Sequence, residues 1–164
     1  MTLAIRLADK KADRAAIWRI MEPVIRAGET YPLPRDMKEK AALAYWLSSL
    51  HTTFVAEDES GTILGTYYIR PNNSGGGDHI CNCGYMVAAD AYGKGVATAM
   101  CAHSLATGRE MGFAGMQFNL VISSNARAVA LWTRMGFETL CRLPGVFRSP
   151  TRGEVDALVM FQKL

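Results

Sequence analysis

A chain of 164 residues with 49% hydrophobic and 20% charged side chains has the size and composition of one globular domain, which excludes a disordered tail, a collagen-like repeat or a disulfide-stapled miniprotein. Its 18 Lys and Arg against 15 Asp and Glu leave a net charge of +3. The basic residues are scattered, so no nucleic-acid-binding arm is apparent, while a small anionic ligand suits the sign.

The N-terminal MTLAIRLADKKADRAAIW lacks the basic-then-apolar order of a signal peptide, and no run approaches the roughly 18 apolar residues of a membrane span, which argues for a cytoplasmic protein without a membrane partner. Cys81, Cys83, Cys101 and Cys141 follow neither a CxxC nor a zinc spacing; they read as buried reduced thiols, and no metal site is expected.

In chain order, Leu3, Ile5 and Leu7 alternate with polar or small residues as in a half-buried strand. Asp9 can cap the helix that follows, in which Ile17, Ile20, Met21, Val24 and Ile25 form one stripe, Pro23 should introduce a kink or division, and Gly28 is a natural stop. The Glu29-Thr-Tyr-Pro-Leu-Pro34 stretch bars regular helix. Asp36 with Glu39 resembles a capping box for a second helix carrying Leu43, Trp46, Leu47 and Leu50 on one face. Residues 52–57 and 62–70 form a predicted hairpin about an Asp-Glu-Ser-Gly turn, followed by a flexible tip that contains Gly75, Gly76 and Gly77. This triple glycine neither opens a helix nor precedes Lys-Ser/Thr, so it does not read as a phosphate loop.

A fourth strand is predicted over 79–87, a largely buried helix over about 93–110 and a fifth strand over 116–123. A helix over 125–135, a strand from Gly136 to about Arg142 and a last strand over 155–161 complete the order. With no repeat and no long linker, residues 1–164 read as a single α/β domain.

The segment with the most chemistry is Tyr92-Gly-Lys-Gly-Val-Ala97, between a strand and an apolar helix. Gly93 and Gly95 permit positive φ and close backbone approach. The first helix amides are then left unpaired at the positive end of the helix dipole, a site for phosphate or for an ordinary strand-to-helix turn. It is no Walker loop, because Val96 stands where Ser or Thr is needed, and no dinucleotide fingerprint, because Thr98 takes the third glycine position.

Taken with Asn125-Ala-Arg-Ala-Val-Ala-Leu-Trp-Thr-Arg-Met-Gly-Phe137, the segment resembles the Gcn5-related N-acetyltransferase (GNAT) superfamily, whose motifs read Arg/Gln-x-x-Gly-x-Gly/Ala and roughly Asn-x-x-Ala-x-x-Leu-Tyr-x-x-x-Gly-Phe. The resemblance extends over the whole predicted element order. It implies a mixed, mostly antiparallel central sheet of about seven strands flanked by four helices, with a V-shaped opening between the fourth and fifth strands. It also implies acetyl-CoA as cosubstrate, without a metal. Met86, Val87 and Ala88 would meet pantetheine, and Gly93, Lys94, Gly95, Val96, Ala97 and Thr98 the pyrophosphate. Asn125, Ala128 and Trp132 would add cofactor contacts, although by pattern alone Asn125 is an N-cap and Ala128, Leu131, Trp132 and Met135 are a core stripe.

Two positions depart from the family pattern. Tyr92 replaces the usual Arg or Gln, and Trp132 replaces a Tyr whose phenol often protonates the leaving thiolate. An indole N–H can donate a hydrogen bond but is no proton source, so slower chemistry rather than none is expected. Where many members carry a fourth-strand Glu, this chain has Asn82, which takes up no proton at neutral pH; His79 and Asp78 read as solvated.

A narrower similarity, through Asn82, Asn119 and Asn125, links the chain to the subgroup with the yeast acetyltransferases of proline analogues such as azetidine-2-carboxylate. It implies that these asparagines hold substrate and a catalytic water. Tyr31 and Trp46 are candidate substrate contacts, with core packing open for Trp46. The implied activity is transfer of an acetyl group to the amine of a small molecule, such as an amino acid or toxic amino-acid analogue, by direct attack. An acetyl-CoA sensor without turnover and a protein N-acetyltransferase are the alternatives, and a homodimer through the terminal strands would suit the resemblance.

Overall fold

A computed structural model describes residues 2–164. Seven strands form one sheet: β1 (Ala4–Leu7), β2 (Thr52–Glu57), β3 (Ile63–Pro71), β4 (Ile80–Val87), β5 (Gly115–Ile122), β6 (Glu138–Ser149) and β7 (Gly153–Lys163), in the order β1-β2-β3-β4-β5-β7-β6. Every pairing is antiparallel except β4 with β5. The helices are α1 (Arg14–Ala27), α2 (Glu39–Trp46), α3 (Val96–Glu110) and α4 (Ala126–Arg134). Helices α1 and α3 both pack on β3 and β4, and α1 also packs on α2; α1 with α2 lies on one face of the sheet and α3 on the other. Side chains alternate accordingly: Tyr68 packs on Trp46 of α2, whereas Tyr67 meets His103 of α3. This is the mixed sheet with four flanking helices that the sequence implied.

Several local expectations are corrected. Pro23 does not divide α1; it lies on the exposed face, where water can take the carbonyl it leaves unpaired. Asp9 closes a turn by accepting from the amides of Lys11 and Ala12, both at 2.8 Å, and α1 starts later, after Asp13. No capping box forms at α2, whose N-cap is Lys38 without a side-chain bond. Leu50 lies beyond that helix and is 75% exposed. Helix α3 is buried along one face only, since Thr98, Ala102, Ala106 and Arg109 are exposed. Cys141 is exposed on edge strand β6, unlike the other three cysteines.

The start of α1 is tied to the sheet by charge. Arg6 Nη1 lies 2.8 Å from Asp13 Oδ2, its Nη2 lies 2.9 Å from Glu57 Oε2, and the Asp9 amide donates to Asp13 at 2.7 Å. The Arg6 hydrogen bonds hold the buried Asp13 carboxyl below its ordinary range. Asp13→Asn is expected to cost about 2 kcal/mol in urea unfolding at neutral pH. A depressed carboxyl stabilises the fold above its unfolded pKa, and this contribution fades as pH falls through the folded one. The urea midpoints of variant and parent should therefore converge in acid; a constant gap would leave the ion pair without a role.

Candidate functional site

The sheet opens where β4 and β5 stop pairing. They are bonded in parallel at Ile80 with Gly115 and Cys81 with Met116, and no further pair follows. At the next step the Asn82 side chain replaces the ladder, its Nδ2 donating to the Gln117 carbonyl at 2.9 Å. Beyond this pin a register shift in β5 between Phe118 and Val121 turns that strand away, as an extra residue in a ladder does. Phe118 and Trp132 fill part of the wedge, with ring centroids 5.0 Å apart. The resulting cleft has a volume of about 770 Å³.

The backbone of β4 alternates across this opening. Asn72 donates to the Ile80 carbonyl and Ala88 to the Leu64 carbonyl, and the β3–β4 register between them is unbroken. Even-numbered β4 residues therefore bond to β3, leaving the main-chain groups of Cys83, Tyr85 and Val87 turned toward the cleft. Of the three strand residues expected to meet pantetheine, only Val87 presents its backbone there. Met86 lines the cleft by its side chain, while Ala88 is buried and does not line it. The Tyr85 carbonyl accepts from the Tyr31 hydroxyl at 2.8 Å, so the α1–α2 loop reaches across to β4. Glu29 anchors the same loop to the β6–β7 turn, accepting from the Ser149 and Thr151 hydroxyls.

At the opposite end, Gly93 and Gly95 have φ of 77° and 82°, and a Cβ on either would meet no atom within 4 Å. They bend the chain into α3, whose first intrahelical bond is Ala99 N to Gly95 O at 3.0 Å. The Val96, Ala97 and Thr98 amides are consequently unpaired and line the cleft. Gly65 allows this helix start to sit low on the sheet, because a Cβ there would lie 2.8 Å from Val96 Cγ1. Exposed Tyr92 lines the same end. Lys94 is exposed and does not line the cleft, unlike Gly93 and Gly95 on either side of it.

Asn125 caps α4, its Oδ1 accepting from the Ala128 amide at 3.3 Å, and both residues line the cleft. Trp132 is both core and cleft wall: only 8% exposed, it has its ring 4.9 Å from that of Tyr85. Asn82 is buried at the fork, whereas Asn119 is exposed, accepting from Gln117 Nε2 and donating to Asn72 Oδ1. Tyr31 is half-buried and lines the cleft, while Trp46 is fully buried and donates to Thr66 Oγ1, a core residue. His79 and Asp78 are exposed.

Sequence reasoning missed Arg70, Arg127 and Arg134, which give the cleft three cations. No Asp, Glu, Lys or His lines it. Arg127 and Arg134 carried a local signal in their i, i+7 spacing on α4; Arg70 carried only its place after the apolar run of β3. Cys83 also lines the cleft, but burial pushes its thiol well above the ordinary range and keeps it protonated.

A strand fork, a glycine-opened amide cradle and a cationic lining define an α/β fold built to hold an extended anionic ligand. Residues 16–137 match the model of the acetyltransferase (GNAT) family, and the chain belongs to that family. A GCN5-related N-acetyltransferase from Kribbella flavida is 36% identical and superposes with a TM-score of 0.94, covering 99% of this chain and 98% of its own. The acetyltransferase yncA from Salmonella typhimurium, solved with acetyl-CoA, shares the fold at a TM-score of 0.87 and 23% identity, over 100% of this chain and 95% of its own. The N-acetyltransferase aca1 of Schizosaccharomyces pombe is 29% identical over 128 residues, 69% of this chain; the match spans 61% of that relative's length.

Proposed function

We propose that this chain is an acetyl-CoA-dependent N-acetyltransferase acting on the amine of a small molecule. The observation that carries this reading is the set of unpaired Val96, Ala97 and Thr98 amides behind two positive-φ glycines, opening onto the fork between β4 and β5. The amides and the α3 dipole suit a pyrophosphate, Arg127 and Arg134 suit further phosphate charge, and the Val87 backbone suits a pantetheine amide.

Bound acetyl-CoA supplies an activated thioester; the chain supplies position. With no carboxylate or imidazole lining the cleft, the amine gives its proton to water, and Asn82, Asn119 and Asn125 act by orienting substrate and water. The protonated Cys83 offers no thiolate to carry an acetyl group, which favours direct attack by the amine. Trp132 can donate one hydrogen bond to the leaving thiolate. An ordinary thiol pKa of about 8.5 makes that sufficient for turnover at reduced rate. In this reading residues 1–164 work as one catalytic domain in the cytoplasm. Among the described residues no helix is long and apolar enough to cross a membrane. Exposed Leu140 and Val146 on edge strand β6 suit a homodimer.

Thiol release from acetyl-CoA, measured against amino acids, imino acids, aminoglycosides and peptide N-termini, tests the proposal. Release with small amino or imino acids is expected. Tight CoA binding without release for any acceptor would make the chain a sensor, and release with peptide N-termini alone would make it a protein acetyltransferase.

A further inference from the structure

Arg70 is a cation without an anion. Its Nε is buried with no hydrogen-bond partner, and no ion pair among the described residues includes it. Enclosing part of a guanidinium unpaired costs free energy that a ligand anion would recover. By strand alternation Arg70 shares the face of Tyr68, the side on which α2 and the Tyr31 loop lie, and it lines the cleft. Its cross-strand partner on β4 is Asn82. The two residues form a hydrogen-bonded pair, whose Cα atoms lie about 5.5 Å apart.

Asn82 is already half committed. With Nδ2 donated to the Gln117 carbonyl, its Oδ1 remains an acceptor on the cleft wall. A guanidinium donor and an amide acceptor side by side match a ligand whose carboxylate and amine are one carbon apart. An amine lacking the carboxylate would add a second cation beside an uncompensated one, and no Asp or Glu of the cleft lining competes for Arg70.

We propose that Arg70 binds the carboxylate of the acceptor while Asn82 Oδ1 accepts from its amine, making free α-amino or α-imino acids the acceptor class. This rests on the acetyltransferase reading only for the fate of the bound amine.

Two readouts separate the two claims. In calorimetry on CoA-saturated protein, L-alanine and L-proline should bind at least tenfold more tightly than alaninamide and prolinamide. In thiol release the acids should show at least a tenfold higher kcat/KM. A carboxamide amine is less basic than that of the acid, so more of it is free base at neutral pH and intrinsic availability favours the amide; an acid preference must come from the site. Arg70→Gln should bring both ratios close to one with the affinity for acetyl-CoA unchanged, and Arg70→Lys should restore part of the preference.

Equal binding of acid and amide, binding of neither, a preference that survives Arg70→Gln, or loss of acetyl-CoA affinity in that variant would each overturn the assignment. Arg70-dependent acid binding without thiol release would uphold it while removing the acetyltransferase reading.

Discussion

Gly95→Val is expected to raise the KM for acetyl-CoA by about a hundredfold, equivalent to about 2.7 kcal/mol. Gly95 sits at φ 82° with no atom within 4 Å of where a Cβ would go, so a valine finds room for its Cβ, and its branched side chain is expected to crowd a ligand's approach to the amides of Val96, Ala97 and Thr98. A β-branched residue at positive φ also costs about 1–3 kcal/mol of backbone strain, which would tend to flatten the turn and redirect those amides.

Gly61 supplies the control. It has φ 81°, equally open space and a place in the β2–β3 turn, outside the cleft. Gly61→Val should lower the melting temperature about as much as Gly95→Val and leave the KM for acetyl-CoA near that of the parent. If both variants shift KM alike, strain transmitted through the fold explains the loss and the cradle does not.

The features legible in the sequence were those encoded over short distances. The glycine turn before α3 and the Asn125 cap of α4 each depend on residues within a turn of one another, and the structure places both at the cleft. The fork was implied by the family resemblance, but its cause was not visible, because Asn82 is held by the Gln117 carbonyl 35 residues away. Arg70 was unreadable for the same reason: what distinguishes it is the absence of a partner, which only tertiary structure reveals.

Strand β6 runs past the predicted end near Arg142 and through Pro144 and Gly145. In the sheet they fall in a register shift between Leu143 and Phe147, where Gly145, at φ 63°, donates its amide to Asp156 Oδ1 at 2.9 Å, so pairing resumes as far as Ser149. The capping box failed because a side-chain pattern that permits a cap does not compel one: α2 follows Lys38 in extended conformation instead.

Asn82→Asp is expected to lower kcat/KM for the acceptor by about a hundredfold, through two losses that the near-identical shape of the residues isolates. A carboxylate accepts where the amide donated, so the Gln117 carbonyl at the fork would lose its partner, at about 1–3 kcal/mol for a buried group left unmade. The new anion would also stand opposite Arg70 and occupy the guanidinium, raising the acceptor KM more than that for acetyl-CoA. Asn82→Ala removes both the pin and the amine acceptor without adding the anion, so kcat should fall through a loosened fork while the acceptor KM rises less than in Asn82→Asp. A rate increase in Asn82→Asp would instead mean that the site lacks only a base, and that Asn82 serves neither as pin nor as amine contact.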